Sequence, residues 1–223
     1  MATVTDATDS TAAARERPIA FALTIPTSWF ELDVRPTTRD GSIKLLVESR
    51  VREQPELWDH RSELVKVLRR QARDAWDAGA VYCACFVMVL EESVIPGSIT
   101  VSVIPPPPGG SSVDAIADVL PTREAVEEGD TWMSRSVVSL DGIGRVPRSQ
   151  GVSDVPIPGG SGWIRTIVMH TFVPIDADRL LLVAAASPAI DLVEPLLELF
   201  DAVTSTLVLV PEGEGRLTPA VRS

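Results

Sequence analysis

The run Ala80–Leu90 is apolar at every position. Both of its alternating sets of side chains therefore need cover: Val81, Cys83, Cys85, Val87 and Val89 on one side, Tyr82, Ala84, Phe86, Met88 and Leu90 on the other. A strand of that kind lies inside a sheet that carries packing on both faces. A short connection containing Pro96-Gly97 leads to a second run, Ser98–Ile104, which predicts an antiparallel hairpin with the first. The rest of the chain must supply the remaining strands and the cover.

Met1–Arg17 has no apolar periodicity and reads as a mobile tail. Ile19–Ile25 reads as a strand stopped by Pro26, and Trp29–Val34 alternates from Phe30 onward as a half-buried strand does. Pro55 and Gly79 bracket a predicted long helix whose apolar stripe is Leu57, Leu64, Val65, Leu68, Ala72, Ala75 and Trp76. Arg69, Arg70 and Arg73 on its other side make either an anion site or a solvated face. Pro105–Pro108 is either a docking motif or a stiff connection. Ser111 with Asp114 resembles a capping box that opens a helix to Leu120, with a further turn or two over Thr122–Glu128. Thr131–Leu140 reads as a strand, and Asp141-Gly142 as a hairpin turn. The prolines and glycines of Asp141–Gly162 predict a long loop. Trp163–Val173 and Leu180–Ala186 are strands. Asp191 with Glu194 resembles a second capping box, before a helix with Leu192, Leu196, Leu199, Phe200 and Val203 on one face. Thr206–Val210 closes the pattern. This order predicts one α+β domain over residues 18–211, an antiparallel sheet flanked by helices, between polar tails at 1–17 and 212–223.

A net charge of −11 argues against nucleic acid and anionic lipid as partners, because phosphates would be repelled. No apolar run approaches the about 20 residues that cross a bilayer, so no membrane insertion is expected. The start of the chain lacks a basic region followed by an apolar one, and Cys83 and Cys85 are spaced poorly for a disulfide; both point to a reducing, cytoplasmic setting. All basic residues except Lys44 and Lys66 are arginine, and asparagine is absent, which points to a GC-rich genome such as an actinobacterium's.

Chemistry-bearing residues are sparse. Cys83 and Cys85 sit in the most apolar stretch, where a thiol is a poor nucleophile. With distant His170 they still leave a tetrahedral metal site short of a ligand. His170 is expected to be a hydrogen-bonded interior or edge residue, and His60 an exposed one. Gly159, Gly160 and Gly162 do not follow a strand and open a helix, as a phosphate cradle requires. No catalytic residue, metal or cofactor is expected. The reading is a binding protein whose protein partner meets the long loops, with Arg145, Arg148, Ile157 and Trp163 as contact residues. A carrier with a small-molecule or lipid pocket between sheet and helix is the alternative, and an enzyme the third.

The opening Phe21-Ala22-Leu23-Thr24-Ile25-Pro26-x-x-Trp29, followed by a long helix, a two-stranded hairpin and a last helix near the end, resembles the PsbP-like fold family. The resemblance spans about residues 19–210. It extends to small actinobacterial lipoproteins of this fold, although the chain has no lipobox. It implies a mostly non-catalytic protein that acts by binding other proteins. The chain also resembles uncharacterised actinobacterial proteins encoded near type VII secretion genes, which implies an accessory role there.

Overall fold

The computed structural model describes residues 20–53, 55–90, 93–127, 129–157 and 161–210. The predicted tails at 1–17 and 212–223 lie outside the described residues, as does Ile19. In chain order the elements are β1 (Ala20–Ala22), β2 (Phe30–Leu32), α1 (Arg39–Glu53), a 3-10 turn (Pro55–Leu57), α2 (Arg61–Asp77), β3 (Ala80–Leu90), β4 (Ser93–Ile104), α3 (Val113–Val119), β5 (Trp132–Leu140), β6 (Gly144–Pro156), β7 (Trp163–Pro174), β8 (Leu180–Ser187), a second 3-10 turn (Ile190–Leu192), α4 (Val193–Thr204) and β9 (Val208–Val210). The fold is α+β. Seven strands form one antiparallel sheet in the order β2-β3-β4-β8-β7-β6-β5, and β1 pairs with β9 in a second, two-stranded sheet. No helix among the described residues is long and apolar enough to cross a membrane.

Both sides of β3 are covered as its composition requires. Tyr82, Ala84 and Phe86 join a core with Ile99, Val101, Ile167, Met169, Val183 and the α4 residues Leu196, Phe200 and Val203. Cys83 and Cys85 join a second core with Phe30, Leu32, Ile43, Val47, Val51, Leu68 and Ala72, under α1 and α2. Helix α3 packs on β5 and β6, and Arg135 donates to the Ala117 carbonyl at 2.9 Å.

Several boundaries differ from the expectation. The predicted helix from Pro55 is two elements: a 3-10 turn from Pro55, then α2 from Arg61. Before it stands α1, which the sequence reading passed over; its buried residues are Ile43, Val47 and Val51 at i, i+4 and i+8. The Pro96-Gly97 pair lies inside β4 opposite Val87 and Phe86, not in the connection. Gly97 is required there, because a Cβ would stand 2.2 Å from the Phe86 ring that covers it. Ser112, not Ser111, caps α3, accepting from the Ala115 amide at 3.2 Å. Thr122–Glu127 holds no further helix; Arg123 bridges to Met133 beside the edge strand β5. Asp191 does not cap α4: the chain passes through the second 3-10 turn, and Leu192 takes the cap position without a side-chain bond.

The largest correction is the loop over Asp141–Gly162. Only Asp141–Ile143 forms the hairpin turn, and Gly144–Pro156 is β6, paired on both sides. Pro147 is tolerated because the β6–β7 ladder begins at Arg148, one residue later. Gly151 is needed for close approach, since a Cβ there would meet the Trp132 carbonyl oxygen at 2.1 Å. Gly151, one of the residues that make the segment read as a loop, is thus one that fits it into the sheet.

Candidate functional site

At the β2 edge of the sheet the chain encloses a cavity of about 430 Å³. That lies within the usual range of small-molecule pockets, about 300–1,000 Å³. Phe21 and Leu23 wall it from the β1 side, Trp76 from the end of α2, and Val81 and Tyr82 from the start of β3. Glu31, Asp33, Arg35 and Ser42 add the polar groups, and Leu32 and Val34 complete the lining. The local geometry follows from two features. Strand β2 is only three residues long, so the sheet ends early and leaves a gap beside β3. The β3–β4 register shifts between Ala80 and Tyr82, which inserts Val81 as an extra residue and leaves it half exposed.

Two of the polar groups are held in unusual states. Tyr82 is 7% exposed, its ring meets Phe21 edge-on at 6.1 Å, and its buried hydroxyl has no hydrogen-bond partner among the described residues. Burial, and then the nearby Glu31 carboxylate, push the tyrosine hydroxyl's pKa far up. Glu31 stands opposite Ala84, so its side chain shares a sheet face with Tyr82 two residues before Ala84. Burial raises the Glu31 pKa, and no ion pair or hydrogen bond offsets that among the described residues. Asp33 differs: it accepts from the Arg35 amide at 3.1 Å and faces the Arg35 guanidinium at 3.3 Å, and its pKa is lowered, the bonds to Thr38 and Arg35 outweighing partial burial.

The residues read from the sequence as partner contacts do not gather in one place. Arg145 is exposed near the start of β6. Ile157 lies twelve residues further on, about 40 Å along an extended strand. Arg148, between them, is 3% exposed and turned into the core, where Nε donates to Thr171 Oγ1 at 3.1 Å and Nη1 pairs with Asp201 of α4. Ile157 and Trp163 both lie at the end of the β6–β7 hairpin but on opposite faces of it: Trp163 pairs with Pro156, and the Ile157 amide donates to the Gly162 carbonyl at 3.2 Å. Trp163, 67% exposed, forms with Ile157 and Ile164 an apolar tip. Gly159 and Gly160 lie outside the described residues.

Cys83 and Cys85 are free and buried; burial pushes the Cys83 thiol up to about 12 and raises Cys85 as well. His170 shares a strand face with Phe172, its ring centroid 6.5 Å away, and burial lowers its pKa. It has no hydrogen-bond partner among the described residues, contrary to the expectation. Among the described residues no group of three or more histidine, cysteine or carboxylate side chains is placed to hold a metal.

The sequence reading missed Glu31, Trp76 and Tyr82 as site residues. The sequence carried one signal, that Tyr82 is the single tyrosine of the chain; Glu31 falls on the charged set of an alternating strand, where it reads as solvated. No family model matches the chain, and no curated protein matches it.

Proposed function

We propose that this chain is a non-catalytic binding protein that holds a small, largely apolar molecule in the cavity between Tyr82, Glu31 and Trp76. The observation that carries the reading is a cavity of ligand size whose wall joins the apolar residues Phe21, Leu23, Trp76 and Tyr82 to Glu31. Aromatic and aliphatic walls with a few polar groups are what small-molecule sites present. The chemistry supports binding over catalysis. The thiols are buried and hard to ionise, and His170, whose pKa burial lowers, has no ion pair or hydrogen bond with a carboxylate among the described residues to make an acid–base pair. A binding role is also what the PsbP-like resemblance of the opening Phe21–Trp29 implies. From the cysteine spacing and the arginine-rich, asparagine-free composition we place the protein in the cytoplasm of an actinobacterium, and from the separate resemblance to proteins encoded near type VII secretion genes we propose an accessory role there.

Nile red, which is uncharged and fluoresces in apolar surroundings, tests the pocket. It is expected to bind at one saturable site. Ser42→Trp, which fills the cavity from α1, is expected to weaken binding by about tenfold or more, a change of about 1.4 kcal/mol. Its urea unfolding midpoint should match that of the parent. Unchanged Nile red affinity in a folded Ser42→Trp protein would overturn the reading.

A second reading keeps the protein partner and moves its contact to the β6–β7 tip, because Ile157, Trp163 and Ile164 are each exposed there. Exposed tryptophan is a common interface anchor, worth about 2 kcal/mol or more when it is one. The double variant Ile157→Ala/Trp163→Ala is expected to lose capture of the native partner while keeping its melting temperature. Arg145→Ala, at the far end of β6, should retain capture; the reverse pattern removes the tip from consideration.

A further inference from the structure

We infer that the cavity's ligand is an organic cation, an amine on an apolar body, with the Glu31 carboxylate as its counter-charge. The inference rests on the pocket reading above and adds the chemical class of the occupant. Three observations converge on it. First, the acidic groups in the wall are unequal. Asp33 is already satisfied by Arg35, whereas Glu31 is half buried with no ion pair or hydrogen bond among the described residues. A partly desolvated carboxylate without a partner is stabilised by an incoming cation far more than a hydrated one is. Second, the surrounding wall is aromatic: Phe21, Trp76 and Tyr82 present rings to the same space. Ring faces attract ammonium groups and give apolar cover to the carbon chain. Third, the cavity's own cation is engaged. Arg35 is bound to Asp33 and its side chain is mostly exposed, so it leaves Glu31 without a partner. The net charge of −11 further favours the approach of a cation over an anion.

An anionic amphiphile would bring a second negative charge beside Glu31. A neutral one could donate a hydrogen bond to the carboxylate but would leave its charge without a counter-charge in a drier site than before. Only the cation resolves both the unpartnered charge and the apolar wall.

The test compares n-octylammonium, n-octanol and n-octanoate, which share a chain and differ in headgroup. Binding is followed by backbone amide chemical shifts of the full-length protein. Octylammonium is expected to bind about tenfold or more tightly than octanol, with octanoate weakest, and the shifts should centre on Glu31, Trp76 and Val81. Glu31→Gln is expected to remove the preference for ammonium while leaving octanol binding within about twofold. Glu63→Gln, which removes a charge from the exposed face of α2, serves as the control for overall charge and should leave the preference intact. Equal binding of the three compounds in the parent, or an ammonium preference that survives Glu31→Gln, would overturn the inference and leave the pocket reading standing. No shifts at the cavity with any of the three, together with Nile red binding that ignores Ser42→Trp, would overturn both.

Discussion

Replacing Phe200 by alanine is expected to lower stability by about 3–5 kcal/mol, the largest single-residue loss in the protein. Phe200 is fully buried on α4. Its ring stands 6.5 Å from Phe86 on β3, and Phe86 in turn stands 4.7 Å from Trp29, just before β2. The three rings tie the last helix to the sheet and to the segment that leads into the cavity wall. Truncation removes the transfer energy of the ring and also leaves a void, because the strands beneath are fixed by ladders on both sides and cannot close over it. Phe200→Leu retains most of the volume and is expected to cost less than half as much. Urea unfolding followed by tryptophan fluorescence measures both. Against a typical total of about 5–15 kcal/mol, the alanine variant should shift the midpoint strongly. A loss below about 1 kcal/mol would mean that α4 docks loosely and that the ring chain does not carry the core.

The elements that could be read from the sequence are those in which burial is written into the chain at short range. Strand β3 needs cover on both faces by composition alone, and β8 is an apolar run of the same kind as far as Ala186. On α4, Leu196, Phe200 and Val203 recur at helical spacing and are buried where the spacing puts them. Helix α1 was harder to read because its buried stripe is narrow. Ile43, Val47 and Val51 stand among charged residues, with Gly41 in the first turns, so packing against β2 and α2 rather than intrinsic preference stabilises it. Strand β6 was misread for a different reason. Pro147, Gly151 and Pro156 are loop residues by composition, and only the tertiary register shows that Pro147 falls just outside one ladder and that Gly151 admits the neighbouring backbone.

The cavity was legible only as a general alternative, a pocket between sheet and helix. Its wall joins Phe21, Glu31, Trp76 and Tyr82, which lie on four different elements or their ends and meet through an early strand end and a bulge. No spacing rule connects them. Nor can a sequence show that one hydroxyl has lost its water without gaining a partner; that depends on what packs around Tyr82 on every side. The contact residues proposed from loop composition divide for the same reason. Strand formation places Arg145 at one end of β6, Ile157 and Trp163 at the other, and turns Arg148 inward.

That inward turn makes Arg148 a structural residue with an uneven dependence on its partner. Removing the partner is expected to harm the protein more than removing the arginine's charge. Arg148 is buried between β7 and α4, bonded to Thr171 and Asp201, and its Nη2 has no partner among the described residues. Asp201→Ala leaves the guanidinium in place with only Thr171 to receive it, and is expected to cost about 2–3 kcal/mol. The figure lies below that for a fully buried pair because Asp201 is half exposed and water can take part of its place. Arg148→Met keeps the length and apolar stem, removes the desolvated charge together with its unmatched donor, and frees Asp201 to hydrate at the surface. It is expected to fall within about 1 kcal/mol of the parent, on either side. Arg145→Ala, exposed on the same strand, is expected to change stability by less than about 0.5 kcal/mol. Urea unfolding of the three variants measures the order Asp201→Ala, then Arg148→Met, then Arg145→Ala in size of loss. If Arg148→Met instead loses as much as Asp201→Ala, the cation itself holds α4 to the sheet, and the energetic account of a tolerated rather than a required buried charge is wrong.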